Sequence, residues 1–159
     1  MSKQANPQQP VAVNRKAYHD YFIEEEYEAG IVLTGSEIKS VRAGRVNLRG
    51  AYARIQDDEL WLFDAHISPN EQTGKVFQHE PTRPRKLLLH RREINRLLGK
   101  LEQKGLTLVP LDIHFKHRRA KAKLGLARGK KLYDKRASTA ERESQRQIER
   151  VLKERRFDD

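Results

Sequence analysis

The sequence contains no cysteine. That removes disulfides, thiolate nucleophiles and cysteine-ligated zinc, and it fits a reducing compartment. No apolar run approaches the roughly 18 to 20 residues that a membrane-spanning helix needs. The opening MSKQANPQQP lacks the basic-then-apolar layout of a secretory leader, so a soluble cytoplasmic protein without a membrane partner is expected. A glycine-rich phosphate loop, a serine nucleophile elbow and an acidic metal-binding set are also missing, and no cofactor is expected. At 159 residues with 36% hydrophobic content, the chain has material for one modest core plus a tail, and a large multidomain enzyme is excluded.

What is present is positive charge, with 33 Lys and Arg against 22 Asp and Glu for a net +11. A polyanion is the first partner to consider. The excess is not spread evenly: residues 1–115 carry 17 basic and 15 acidic side chains, 116–136 carry 10 and one, and 137–159 carry six of each. Nine of the eleven net charges therefore fall within 21 residues.

The hydrophobic pattern reads as short strands with two inserted helices. Residues 1–12, rich in proline and amide side chains, suggest a flexible lead-in. Residues 21–33 suggest two short strands or one strongly bent one, and 35–44 a short helix with Ser36 as its N-cap candidate and a glycine at its end. Residues 51–55 and 60–63 flank a polar spacer of hairpin size. Residues 68–85, punctuated by Pro69, Gly74, Pro81 and Pro84, read as a long loop. Ile94, Leu97, Leu98 and Leu101 form a helical stripe before Gly105. Leu111, Ile113 and Phe115, then Ala120, Ala122 and Leu124, alternate as two half-buried strands, turning Lys121 and Lys123 outward together. A small closed or partly open barrel is expected, with an α+β sandwich as the competing arrangement. The polar segment 137–159 has helix propensity without a core and is expected to stay disordered until a partner surface arrives.

Among chemical readings, a rigid strand platform joined to a basic arm suits capture of a phosphate backbone. Glu24, Glu25, Glu26 and Glu28 would repel phosphates unless they accept hydrogen bonds from bases or hydroxyls, which argues for shaped recognition of RNA. An enzyme could use these carboxylates with His19, or His114 and His117 as metal ligands. Neither set has a third partner at diagnostic spacing.

Several ordered motifs resemble one family. They are Asn14-Arg15-Lys16-Ala17 with His19-Asp20-Tyr21-Phe22-Ile23-Glu24-Glu25, then Lys86-Leu87-Leu88-Leu89-His90, Lys104-Gly105 and Leu108-Val109-Pro110-Leu111. Gly125-Leu126-Ala127-Arg128-Gly129-Lys130-Lys131 with Asp134-Lys135-Arg136 completes the set. Together they resemble the SsrA-binding protein family, partners of transfer-messenger RNA. One departure is Asn47-Leu48-Arg49-Gly50-Ala51-Tyr52, which lacks the family's common Asp-Ser before the tyrosine.

The resemblance implies an OB-like closed or partly open β-barrel over 13–132, mainly β with inserted helices, and a ribosome-directed tail over 133–159 that is disordered when free and helical on binding. It implies a non-enzymatic, monomeric protein that binds the tRNA-like domain of transfer-messenger RNA and delivers it to stalled ribosomes for trans-translation. The alternative is a general ribosome-associated structured-RNA-binding or RNA-chaperone module. The motifs place Asn14, Glu28, Leu88 and Lys121 on the RNA-facing surface, with Lys123, Lys130 and Lys131 as neighbours. Tyr133, Asp134, Lys135 and Arg136 would begin the tail at the small-subunit decoding centre. Arg142, Arg146 and Arg150, four residues apart, would share one helical face toward ribosomal RNA in the messenger channel.

Overall fold

The computed structural model describes residues 9–70, 78–102, 105–130 and 132–157. Its chain order is β1 (Ala12–Val13), α1 (Arg15–Asp20), β2 (Tyr21–Ile31), α2 (Gly35–Arg42), β3 (Val46–Asn47), β4 (Tyr52–Gln56), β5 (Glu59–Phe63) and β6 (His66–Ile67). There follow β7 (Arg85–Leu88), α3 (Arg91–Leu101), β8 (Leu106–Lys116), β9 (Arg119–Gly129) and α4 (Leu132–Phe157). The chain divides into two compact units, one up to Gly129 and one from Lys130.

In the first unit β8, β4, β5, β7, β2 and β9 pair in that order, and β9 returns to β8, so six antiparallel strands close on themselves. Closure removes the sheet edges and decides for a barrel over a sandwich. β1 adds to β8, with Ala12 opposite Ile113. Ordered pairing thus starts at Val11, whose N–H donates to the Ile113 carbonyl, ahead of the expected lead-in boundary at residue 12.

Two bulges shape the ring. The segment 21–31 is one strand with a register shift between Ile23 and Glu25, and β8 shifts between Pro110 and Asp112. Each adds an unpaired residue and bends its strand, which is how long strands wrap a small barrel. The interior is filled by Leu60, Leu62, Leu87, Leu108, Ile113, Leu124 and Leu126 among others. A smaller cluster of Ala17, Val109, Leu111 and Ala127 sits under α1. Gly125 is required there, because a Cβ at that position would lie 3.0 Å from Leu111 Cδ1 and 3.2 Å from Ile23 Cγ2.

The β4–β5 turn is tighter than the four-residue spacer suggested. Gln56 pairs with Glu59, leaving Asp57 and Asp58 at φ of 51° and 60°, the left-handed geometry of a two-residue hairpin. Tyr52 stacks on Phe63 across the pair at 5.4 Å. The β8–β9 turn repeats the device with His117 and Arg118 at φ of 50° and 65°. The departure at 47–52 forms its own turn: Asn47 Oδ1 accepts from the Arg49 N–H, the Ala51 N–H donates to the Leu48 carbonyl, and Gly50 takes φ +80°.

α2 is capped by Thr34 rather than Ser36. The Thr34 side chain accepts from the Glu37 N–H while Glu37 accepts from the Thr34 N–H, a reciprocal capping box. Ser36 is instead paired at 2.8 Å with His79, from the segment leading into β7. Glu37, fully buried, accepts from Arg83 and from the equally buried Arg85, each at 2.5 Å. This network ties α2 to β7. α3 buries Ile94 and Leu97 as its stripe requires, while Leu98, one residue round the helix, is 39% exposed.

In the second unit α4 runs 26 residues. Its Ala, Glu, Arg, Gln and Lys content favours helix, and the run exceeds the 12 to 15 residues at which isolated helices are marginal. Residues 140–153 are all exposed. Among the described residues no helix is long and apolar enough to cross a membrane.

Candidate nucleic-acid interface

The outer face of β2, β9 and β8 carries the site. Alternation along a strand turns every second residue outward, and past the bulges the three strands align so that Glu28 lies opposite Lys123 and Lys123 opposite Asp112. In the next row Gly30 lies opposite Lys121, and Lys121 opposite His114. β7 extends the surface, with Leu88 opposite Gly30. Glu28, Leu88, Lys121 and Lys123 are therefore brought together on one patch.

Leu88 is 52% exposed, so the outward position holds, although a leucine in an apolar run is ordinarily a core residue. Its neighbour Leu87 is the one that fills the barrel, at 1% exposure. Gly30 makes room for Leu88: a Cβ there would lie 3.3 Å from the Leu88 Cβ. Leu88 and Lys121 line one depression of about 350 Å³ with Val32, Phe115, Arg118 and Arg119. Apolar and cationic side chains share this lining, a combination chemically suited to a base face and its phosphates together.

Charges on the patch are unequally engaged. Lys123 lies 3.8 Å from Glu26 and 3.7 Å from Asp112. Burial works against its charge, but Asp112 and Glu26 outweigh that and raise its pKa. Glu28 accepts from His114 Nε2 at 3.1 Å and from Lys116 Nζ at 3.4 Å. Burial would raise its pKa, and those two donors lower it below the ordinary carboxylate value, so Glu28 is an anion at neutral pH and purely an acceptor. Lys121 joins none of the described ion pairs and stands available to a phosphate.

Asn14 departs from its expected place on the surface. It is 5% exposed, its Oδ1 caps α1 by accepting from the Ala17 N–H, and its Nδ2 donates to the Leu48 and Pro110 carbonyls at 3.3 and 2.9 Å. Both ends of the amide are used internally, so it braces α1 against β8. Lys130, half-buried, belongs to the second unit. Lys131 lies outside the described residues, as do the side chains of Tyr133, Asp134, Lys135 and Arg136, whose backbone opens α4. Arg142, Arg146 and Arg150 are exposed along α4 at four-residue spacing.

Sequence reasoning passed over Asp112, Lys116, Arg118 and Arg119, and weighed His114 only as a metal ligand. Among the described residues no cluster suited to a metal ion is present. The outward alternation of Asp112, His114 and Lys116 was visible, but their neighbours on β2 come from a strand 86 residues away.

The sequence that folds into this barrel and patch matches one known family over nearly its whole length: the profile of the SmpB protein family covers residues 11–154. The chain belongs to the SmpB family. SsrA-binding protein of Roseiflexus sp. (strain RS-1) is 70% identical over 145 residues, 91% of this chain and 92% of that one. The protein of the same name from Chloroflexus aggregans is 66% identical over 155 residues, 98% of each. A solved structure described as "tmRNA-SmpB: a journey to the center of the bacterial ribosome" matches with a TM-score of 0.65 and 58% identity, covering 78% of this chain and 87% of that one.

Proposed function

We propose that this SmpB-family chain binds the tRNA-like domain of transfer-messenger RNA through its barrel and carries it to stalled ribosomes for trans-translation. The observation that supports this most directly is the β2–β9–β8 patch, where Lys121, in no ion pair among the described residues, stands beside apolar Leu88 and the ionised acceptor Glu28. A general electrostatic sponge would gain nothing from a fixed carboxylate among its lysines. A structured RNA with exposed base edges and ribose hydroxyls does.

In this account Lys121 and Lys123 neutralise phosphates, Leu88 packs on a base or ribose, and Glu28 accepts a hydrogen bond. Lys130 and Lys131 add contacts to phosphates. The segment from Tyr133 through Asp134, Lys135 and Arg136 enters the decoding region, and Arg142, Arg146 and Arg150 line the helical face toward ribosomal RNA. The barrel and the tail act as separate domains. The protein works in the cytoplasm, where its ribosomal partner resides, and acts by binding rather than by a reaction of its own.

A competition measurement at fixed moderate salt tests this. The tRNA-like domain of transfer-messenger RNA should displace a labelled copy of itself well ahead of an unrelated duplex. Equal displacement by both would leave only the general RNA-binding alternative standing.

A further inference from the structure

The Glu28 carboxylate is held by a relay that starts beneath the surface. Asp112, with a side chain 10% exposed, pairs at 2.8 Å with His114 Nδ1, and His114, at 12%, pairs through Nε2 at 3.1 Å with Glu28, at 40%. Exposure rises along the relay, so order passes from a packed anchor to an accessible tip. Asp112 is further fixed by Lys123 at 3.7 Å. Lys116 reaches the other Glu28 oxygen, from a side chain 54% exposed.

We propose that His114 is a positioning residue for RNA recognition: anchored on Asp112, it holds the Glu28 carboxylate in the orientation in which it accepts a hydrogen bond from RNA. The inference rests on the functional reading above, in which Glu28 touches RNA. An exposed glutamate loses substantial rotamer freedom when it is ordered, and meeting that cost in the free protein leaves more of the contact energy for binding. The relay also keeps Glu28 off Lys121 and Lys123. Lys123 stands directly across from it on β9 and Lys121 one row along; a released carboxylate would pair with either, withdrawing a cation from the phosphates.

The two ring nitrogens can be tested separately. A glutamine amide reproduces the Nε2 donor, and an asparagine amide reproduces the Nδ1 side. Affinity of the full chain for a transcript of the tRNA-like domain is measured at one salt concentration, with folding checked by thermal melting. His114→Asn, which keeps the Asp112 contact and loses Glu28, should raise Kd about tenfold. His114→Gln, which keeps the Glu28 contact and gives up the Asp112 anchor, should raise Kd by about threefold, between wild type and His114→Asn. In a Glu28→Ala background, His114→Asn should change Kd by less than about twofold, because the two residues act as one unit. A folded His114→Asn protein with wild-type affinity would overturn the inference. So would an equal loss in both His114 variants, or a loss that persists without Glu28. If the wild-type protein fails to prefer this transcript over an unrelated duplex, the functional reading falls and the inference with it.

Discussion

Two glutamates in this barrel do opposite work. Glu37 is buried in the fold and Glu28 is displayed on the surface, and named neighbours hold the pKa of each below its ordinary value. For Glu37, burial favours the neutral acid, yet Arg83, the Thr34 N–H and Arg85 hold its pKa at about 2. Burial likewise pulls the Arg85 guanidinium down from its ordinary value. The carboxyl has a depressed folded-state pKa, so its stabilisation is complete above its unfolded value of 4.5 and drains away as the pH falls toward about 2. The shift corresponds to about 3 kcal/mol, and a urea-unfolding series between pH 6 and pH 2.5 should show a loss of that order. Glu37→Gln should cost about 3 to 5 kcal/mol at neutral pH, because it strands Arg85 in the core. Leu88→Ala reverses this profile. The side chain is half in solvent, so unfolding free energy should move by less than about 0.5 kcal/mol, while RNA affinity should fall several-fold in a titration at fixed salt. A variant that loses stability and keeps affinity would return Leu88 to the core.

At the scale of elements, turns and bulges decide what the strands present. Asp57 and Asp58 both sit at positive φ, where asparagine and glycine are less strained. Asp57→Asn with Asp58→Gly should therefore raise the melting temperature by a few degrees without changing RNA affinity. Gly125→Ala should cost about 1 to 3 kcal/mol by overpacking against Leu111 and Ile23, read in the same unfolding series. Alternation made β8 and β9 legible in the sequence, and with them the outward direction of Lys121 and Lys123. The three-four spacing of Ile94, Leu97 and Leu101 made α3 legible in the same way. Both signals are local. A bend in β2 was one of two readings of residues 21–33, but its place at Glu24 and the bulge at Leu111 in β8 were not legible, since an extra residue in a strand leaves no mark on composition. Nor was the burial of Asn14, because a polar residue before a helix reads the same whether its cap faces water or the underside of β8. The neighbours of Glu28 were hidden for a third reason: His114 and Lys116 meet it only once β2, far earlier in the chain, pairs with β9 beside β8.

At the scale of the whole molecule, the net +11 resolves into a barrel patch whose charges are partly matched and a surplus by composition, nine of the eleven falling within residues 116–136. The matched part gives shape selectivity and the unmatched part gives attraction, so RNA affinity should fall steeply with salt while the preference among RNAs persists. The six basic and six acidic side chains of 137–159 leave the tail without bulk attraction, and in the function proposed above its contribution comes from the helical arrangement of Arg142, Arg146 and Arg150. The account therefore assigns grip to one unit and ribosome engagement to the other. Its most direct test is a purified translation system with ribosomes stalled on a message lacking a stop codon, supplied with transfer-messenger RNA and a chain that ends at Arg136. The account predicts that this chain binds the RNA within about threefold of the full protein, since the barrel contacts are intact, yet supports no tagging of the nascent peptide. Tagging at the full-length rate by the shortened chain would contradict it.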